Sequence, residues 1–212
     1  MNSRARINTL FFDWDGTLVD SEVAGRAAFR LAFRDLGVVF DEKIYEASYS
    51  PNWYATYEAL NLPRDMWQTA NELWIRHYGQ ESPELVEGAP VALADLTRKG
   101  YLLGIVTRGS ESRVLREIQG LSVRSLFKAV VCGEHVVNKK PHPEGLEAAM
   151  KMLNAPRESA AYVGDAPEDI QRGKSSGVMT VGVRSSYPSS MRLASFDPDL
   201  YLDSIGDILL HF

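Results

Sequence analysis

The sequence predicts an α/β fold, a mainly parallel sheet in a layered core with a small all-helical module inserted after the first strand. Short, near-continuously apolar runs recur between breaks marked by Gly or Pro, and helical patterns separate them. The stretch from about Ser21 to Gly88 departs from this alternation, with several helical patterns and no convincing strand. Runs apolar at every position suit strands buried on both faces of a parallel sheet.

The first strand is Leu10 to Phe12, and Asp13-Trp14-Asp15-Gly16-Thr17-Leu18-Val19-Asp20 follows it at once. Residues i and i+2 of an extended segment share a side, so Asp13 and Asp15 face one pocket while Trp14 turns into packing. Two acids that close separate their pKa values, and one stays a carboxylate nucleophile while the other holds a proton. Gly16 and Thr17 turn the chain and leave amides free for an oxyanion. Read alone, the octapeptide is also an ordinary acidic turn.

The inserted module follows. Its first helix carries Val23, Ala27, Leu31 and Ala28, Ala32, Leu36 on adjoining stripes and stops near Gly37. A second starts at Ser50-Pro51, an N-cap with proline in the first turn. A third uses Met66, Ala70, Leu73 and Trp67, Trp74, Tyr78 and ends at Gly79. Ser82-Pro83 and Gly88-Ala89-Pro90 mark the return to the sheet, with hinges near Leu18 to Asp20 and Gly88 to Pro90.

Strands are then expected at Tyr101 to Val106, Ala129 to Cys132, Ala160 to Val163 and Val178 to Val183. The helices between them rest on Ala92, Leu93 and Leu96, on Val114, Leu115 and Ile118, and on Leu146, Ala149, Met150 and Leu153. In such βαβ units ligands sit beyond the carboxyl ends of the strands. Those ends are polar in a telling way. Thr107-Arg108-Gly109-Ser110 offers a hydroxyl and helix-opening amides, and Lys139-Lys140-Pro141-His142-Pro143 offers a positive point charge. In Gly164-Asp165-Ala166-Pro167-Glu168-Asp169, Asp165 adds a hard oxygen ligand beside Asp13, and Asp169 orients it or reaches a metal through water. Taken singly, each is also a plain helix cap, a solvated lysine pair or an acidic helix start.

Composition narrows the partners. Of 212 residues, 45% are apolar and 24% charged, as in ordinary globular proteins. A net charge of -5 gives no global field for nucleic acid or an anionic membrane, so a phosphate site must be local. The single cysteine, Cys132, reads as a buried, inert thiol in a reducing, cytoplasmic setting. Met1 to Arg6 lacks the apolar stretch of a signal peptide, and no run reaches the roughly 18 apolar residues of a spanning helix.

As a set, the strand-end residues are specific. On Asp13-Trp14-Asp15-Gly16-Thr17-Leu18-Val19-Asp20-Ser21, Thr107, Lys140-Pro141 and Gly164-Asp165 with Asp169, the chain resembles the haloacid dehalogenase superfamily of phosphohydrolases, most closely its phosphoglycolate phosphatase-like group. The resemblance implies a Rossmann-like three-layer core over residues 1–18 and 88–212, a helical cap over 19–87, and Mg²⁺. It also implies hydrolysis of a small organic phosphate monoester through an aspartyl-phosphate, with Asp13 as nucleophile and Asp15 as general acid/base. The Asp15 backbone carbonyl joins the Asp13 and Asp165 side chains as metal ligands, with Asp169 behind them. Thr107, Arg108, Gly109 and Lys140 bind the substrate, helped by the amides of Trp14, Asp15 and Arg108. True dehalogenases lack an acid at the Asp15 position, which disfavours hydrolysis at carbon.

Three features depart from the family. Arg108 stands where many relatives carry Asn or another small polar residue, either to bind a substrate carboxylate or as a surface residue. Ala166 replaces Ser or Thr, and the aromatics Tyr49, Trp53 and Tyr54 of the cap segment either wall the substrate or pack cap on core. The rivals are a hexose-phosphate mutase on the same core, a phosphonatase with Lys43 as its cap lysine, a receiver-like phospho-acceptor domain, and a binding protein that kept the fold. The partner implied is a small phosphorylated metabolite, and the chain is a monomer or a homodimer.

Overall fold

In a computed structural model, which describes residues 6–79 and 81–212, the chain opens with β1 (Thr9–Phe12), β2 (Val19–Asp20), α1 (Glu22–Asp35), α2 (Glu42–Ser48), α3 (Trp53–Ala59), α4 (Trp67–Tyr78) and β3 (Glu84–Leu85). It continues with α5 (Ala89–Arg98), β4 (Leu102–Val106), α6 (Glu111–Gly120), β5 (Phe127–Val131), α7 (Glu144–Leu153), β6 (Ala160–Gly164), α8 (Pro167–Ser176), β7 (Met179–Val183) and β8 (Leu200–Leu202). Residues 1–5, which hold most of the N-terminus expected to lack an export signal, lie outside the described residues. No helix among the described residues is long and apolar enough to cross a membrane.

Six strands form one parallel sheet in the order β5-β4-β1-β6-β7-β8. β1 is central, with Phe12 opposite both Ile105 and Val163, so β1, β4 and β6 end at nearly one level. The next residues, Asp13, Thr107 and Asp165, therefore leave the same edge of the sheet. Strand alternation builds the layers. Leu10 and Phe12 enter a cluster with Leu93 and Leu96 of α5 and Val114 and Ile118 of α6. Phe11 points the other way, onto Leu146, Ala149 and Met150 of α7. Burying a side chain of this size contributes about 1.5–3 kcal/mol.

β8 was not expected from the sequence. It is three residues long, follows the polar Asp197-Pro198-Asp199, and pairs only on one side with β7. The strand expected to start at Ala129 begins at Phe127, whose ring packs edge-on against Trp14. Cys132 follows that strand, fully buried, and burial pushes its thiol up to about 12.

The helices α1 to α4 gather around Phe29, whose ring meets Tyr45, Tyr49, Trp53, Tyr57 and Trp74. These aromatics set the register of α1. The buried stripe is Ala28, Phe29, Ala32 and Phe33, while Val23, expected on a packed stripe, is 74% exposed. The helix expected to start at Ser50-Pro51 begins at Trp53, with Asn52 at its N-cap, and Ser50 Oγ accepts from the Asn52 amide at 3.0 Å while donating to Glu168 Oε1 at 2.6 Å. Strand does occur in this region after all. β2 and β3 form a two-residue antiparallel ribbon, Val19 opposite Leu85 and Asp20 opposite Glu84, through which both connections to the helices pass.

Gly104 in β4 lies against the ring of Phe11, and a Cβ there would stand 2.7 and 2.9 Å from two ring carbons. Gly104→Ala is expected to cost about 1–3 kcal/mol through overpacking. Urea unfolding should show a lower midpoint at unchanged slope.

Candidate active site

The acids that leave the sheet edge meet around one lysine. Lys140 Nζ lies 2.7 Å from Asp13 Oδ2 and 3.0 Å from Asp169 Oδ1, and all three side chains are almost completely buried. Carboxylate oxygens of Asp13, Asp165 and Asp169 lie within 4.8 Å of one another. Lys140 occupies Oδ2 of Asp13 and leaves Oδ1 buried with no hydrogen-bond partner. Asp165 accepts from Thr17 Oγ1 at 3.0 Å and from Ser185 Oγ at 2.7 Å. Asp169 is the most fully engaged, accepting from Lys140, from Tyr162 Oη at 3.1 Å and from the Ala166 amide at 3.1 Å. That last bond ties Asp169 to the start of α8, where the Asp169 amide in turn donates to the Ala166 carbonyl at 2.9 Å.

Charge is unbalanced here. Burial raises Asp13 to about 6, with repulsion from Asp169 adding to it and Lys140 partly offsetting it. Burial, then Asp169 and Asp13, raise Asp165 to about 8. The same carboxylates push the Lys140 ammonium upward, against its own burial.

Asp15 sits in different surroundings. Its side chain is half-buried and is gripped by Arg113, Nη1 to Oδ1 at 2.9 Å and Nη2 to Oδ2 at 2.6 Å, with Ser21 Oγ also donating at 2.9 Å. Burial opposes ionisation, but the Arg113 pair and the Ser21 bond outweigh it and hold Asp15 below the usual range. The two acids thus separate in the opposite sense to the roles expected of them. Asp13 is raised by its burial, which Lys140 offsets only in part, while Arg113 holds Asp15 down. Arg113 also bonds Glu117 at 3.2 Å, and Glu117 accepts from the indole of buried Trp14 at 2.7 Å.

The rest of the expected set lines one cleft of about 360 Å³ between the strand ends and α3 and α4. Thr107 is buried there, and its Oγ1 accepts from the Gly109 amide at 3.1 Å. Gly109 is required by space, since a Cβ would stand 2.4 Å from Arg113 Nη2. Arg108 is half-buried and reaches across to Asn52 of the helical module. Tyr49, Trp53 and Tyr54 also line the cleft, and Tyr49 stacks on Tyr187 of the core at 5.1 Å as well. Lys43 is exposed on the first turn of α2 and is not among the lining residues, so the phosphonatase reading gains no support.

Two groups escaped the sequence reading. Arg113 and Glu117 are spaced i,i+4 on a helix, which reads as a solvated ion pair rather than a buried clamp. Ser185 and Tyr187 follow β7, in a hydroxyl-rich loop indistinguishable from any turn.

Comparison with known proteins agrees with this architecture. Residues 10–183 match the family model of the haloacid dehalogenase-like hydrolases. Pyrophosphatase PpaX of Listeria monocytogenes serotype 4b is 30% identical over 208 residues, covering 96% of this chain and 95% of its own. The phosphoglycolate phosphatase of Salmonella paratyphi A is 30% identical over 237 residues, covering 99% and 94%. A haloacid dehalogenase-like family hydrolase from Streptococcus pneumoniae shares the fold with a TM-score of 0.86 at 23% identity, covering 97% of this chain and 98% of its own. From the first sheet strand to the end of β7, the chain belongs to the haloacid dehalogenase-like hydrolases.

Proposed function

We propose that the chain is a Mg²⁺-dependent phosphatase that hydrolyses a small organic phosphate monoester through an aspartyl-phosphate on Asp13. The observation that carries this reading is the buried, unpartnered Oδ1 of Asp13 inside a cluster of three carboxylates and one lysine. With all three acids ionised, the one lysine leaves two negative charges unbalanced, and every donor is a hard oxygen, which fits a divalent cation such as Mg²⁺. Asp13, Asp165 and the Asp15 carbonyl would hold it. Asp169 spends its oxygens on Lys140, Tyr162 and the start of α8, and so serves as their support. A bound Mg²⁺ supplies charge neutralisation to Asp13 and to the phosphoryl oxygens.

Within this reading each residue has a task. Lys140 orients Asp13 for attack on phosphorus and lowers repulsion toward a dianionic substrate. Thr107 and the amides of Trp14, Asp15 and Arg108 receive the phosphoryl oxygens. Asp15, held ionised by Arg113, is in the state that takes a proton from the hydrolytic water. To protonate the leaving alkoxide Asp15 must first take up a proton, which requires the Asp15 to Arg113 pair to loosen. Residues 19–87 act as a cap over a core of 1–18 and 88–212, and closure over the cleft excludes water from the intermediate.

The first test is Mg²⁺-dependent phosphate release across small organic phosphates, with product analysis to separate hydrolysis from sugar-phosphate interconversion. Asp13→Asn should lower kcat on the order of a thousandfold or more. Equal release by that variant would contradict the assignment. A second test uses pH. A carboxyl raised on folding stabilises the metal-free protein at low pH, and that contribution fades as pH rises through about 6 for Asp13 and about 8 for Asp165. Metal binding needs the ionised forms. The Mg²⁺-induced rise in Tm should therefore be larger at about pH 8.5 than at about pH 6, and an equal or inverted effect contradicts the cluster's role.

A further inference from the structure

Arg108 brings a positive charge into the cleft that no carboxylate meets. Among the described residues no carboxylate oxygen lies within 4.0 Å of its guanidinium. Its two hydrogen bonds are long and go to neutral acceptors, Nη1 to the Lys140 carbonyl at 3.4 Å and Nη2 to Asn52 Oδ1 at 3.3 Å. A guanidinium carries five N–H donors in a planar fork, so most of its capacity is unused. Glu168, the acid that acts on it most strongly, is held by Ser50 Oγ at 2.6 Å through Oε1. Burial makes the guanidinium easier to deprotonate, and Glu168 offsets this only in part.

A partly buried cation without an ion-pair partner costs the fold that holds it some desolvation that a bound anion can offset. Arg108 makes no ion pair with any strand or helix among the described residues. It follows Thr107 directly, it lines the same cleft as Asp13 and Lys140, and its fork matches a carboxylate or phosphoryl group in two-point contact. Trp53, Tyr54 and Ile75 wall the same cleft with apolar surface, which lowers the local dielectric and strengthens such a pair.

We propose that Arg108 anchors a second anionic group of the substrate, a carboxylate or a second phosphoryl, so that the cleft selects phosphate monoesters with two anionic ends. The proposal rests on the phosphatase reading of the same site. Asn52, which touches Arg108 from the helical module, ties that selection to the position of the cap.

The test compares matched esters. 2-Phosphoglycolate differs from ethyl phosphate by a carboxylate in place of a methyl group, and ethane-1,2-diol bisphosphate adds a second phosphoryl, so the two arms separate the possible anions. The protein should prefer at least one doubly anionic ester over ethyl phosphate by roughly tenfold or more in kcat/KM. Arg108→Met should collapse that ratio toward one. Asn52→Asp, which hands the guanidinium an internal carboxylate, should collapse it as well while keeping Arg108 in place. A wild-type ratio near one, or a ratio unchanged in both variants, overturns the proposal. Calorimetric binding of the same three esters to Asp13→Asn protein, with and without Arg108→Met, keeps the two readings apart. If no ester is hydrolysed the phosphatase reading fails, and loss of the binding preference with Arg108→Met still decides this one.

Discussion

A single buried ammonium, that of Lys140, holds together acids that would otherwise repel one another. It bonds Asp13 at the end of β1 and Asp169 in the first turn of α8, while Asp165 stands beside them at the end of β6. The arrangement is only partly balanced, because one ammonium faces three carboxyls that are almost completely buried. Raised pKa values at Asp13 and Asp165 are the physical expression of that shortfall. Such an excess of carboxyls over ammonium is chemistry suited to holding a cation.

The pleat of one short segment divides this chemistry from a second ionic group. Asp13 faces Lys140, Trp14 is driven into the core, and Asp15 faces Arg113. Arg113 is itself held by Glu117, and Glu117 by the Trp14 indole, so the residue that separates the two acids also fixes the partner of the second. Tyr78 at the end of α4 lies under the Arg113 guanidinium, with 5.1 Å between its ring centre and the Arg113 Cζ. A displacement of α4 would therefore be felt at Asp15 through Arg113.

Much of this was legible in the sequence because strand ends in a parallel sheet are marked by an abrupt change from apolar to polar residues. Asp13, Thr107 and Asp165 follow such runs directly, Lys140 stands in the longer connection after β5, and all four line one cleft. Asp169 was legible as an early residue of a helix whose start Pro167 announces. Other features had no such mark. The register of α1 depends on which partners surround Phe29 and Phe33, and those come from α2, α3 and α4 rather than from its own periodicity. β8 is too short to carry a pattern. Arg113 and Ser185 belong to residue types whose usual place is the surface, and only their neighbours in space make them part of the site.

The central claim is that the cluster around Lys140 is completed by a divalent cation, and a calorimetric titration of Mg²⁺ into the protein near neutral pH tests it most directly. Performed in two buffers of different ionisation heat, it should show one ion bound per chain, with net proton release, and binding should be lost in Asp165→Asn. Absence of saturable binding, or binding without proton release that survives Asp165→Asn, would contradict the account.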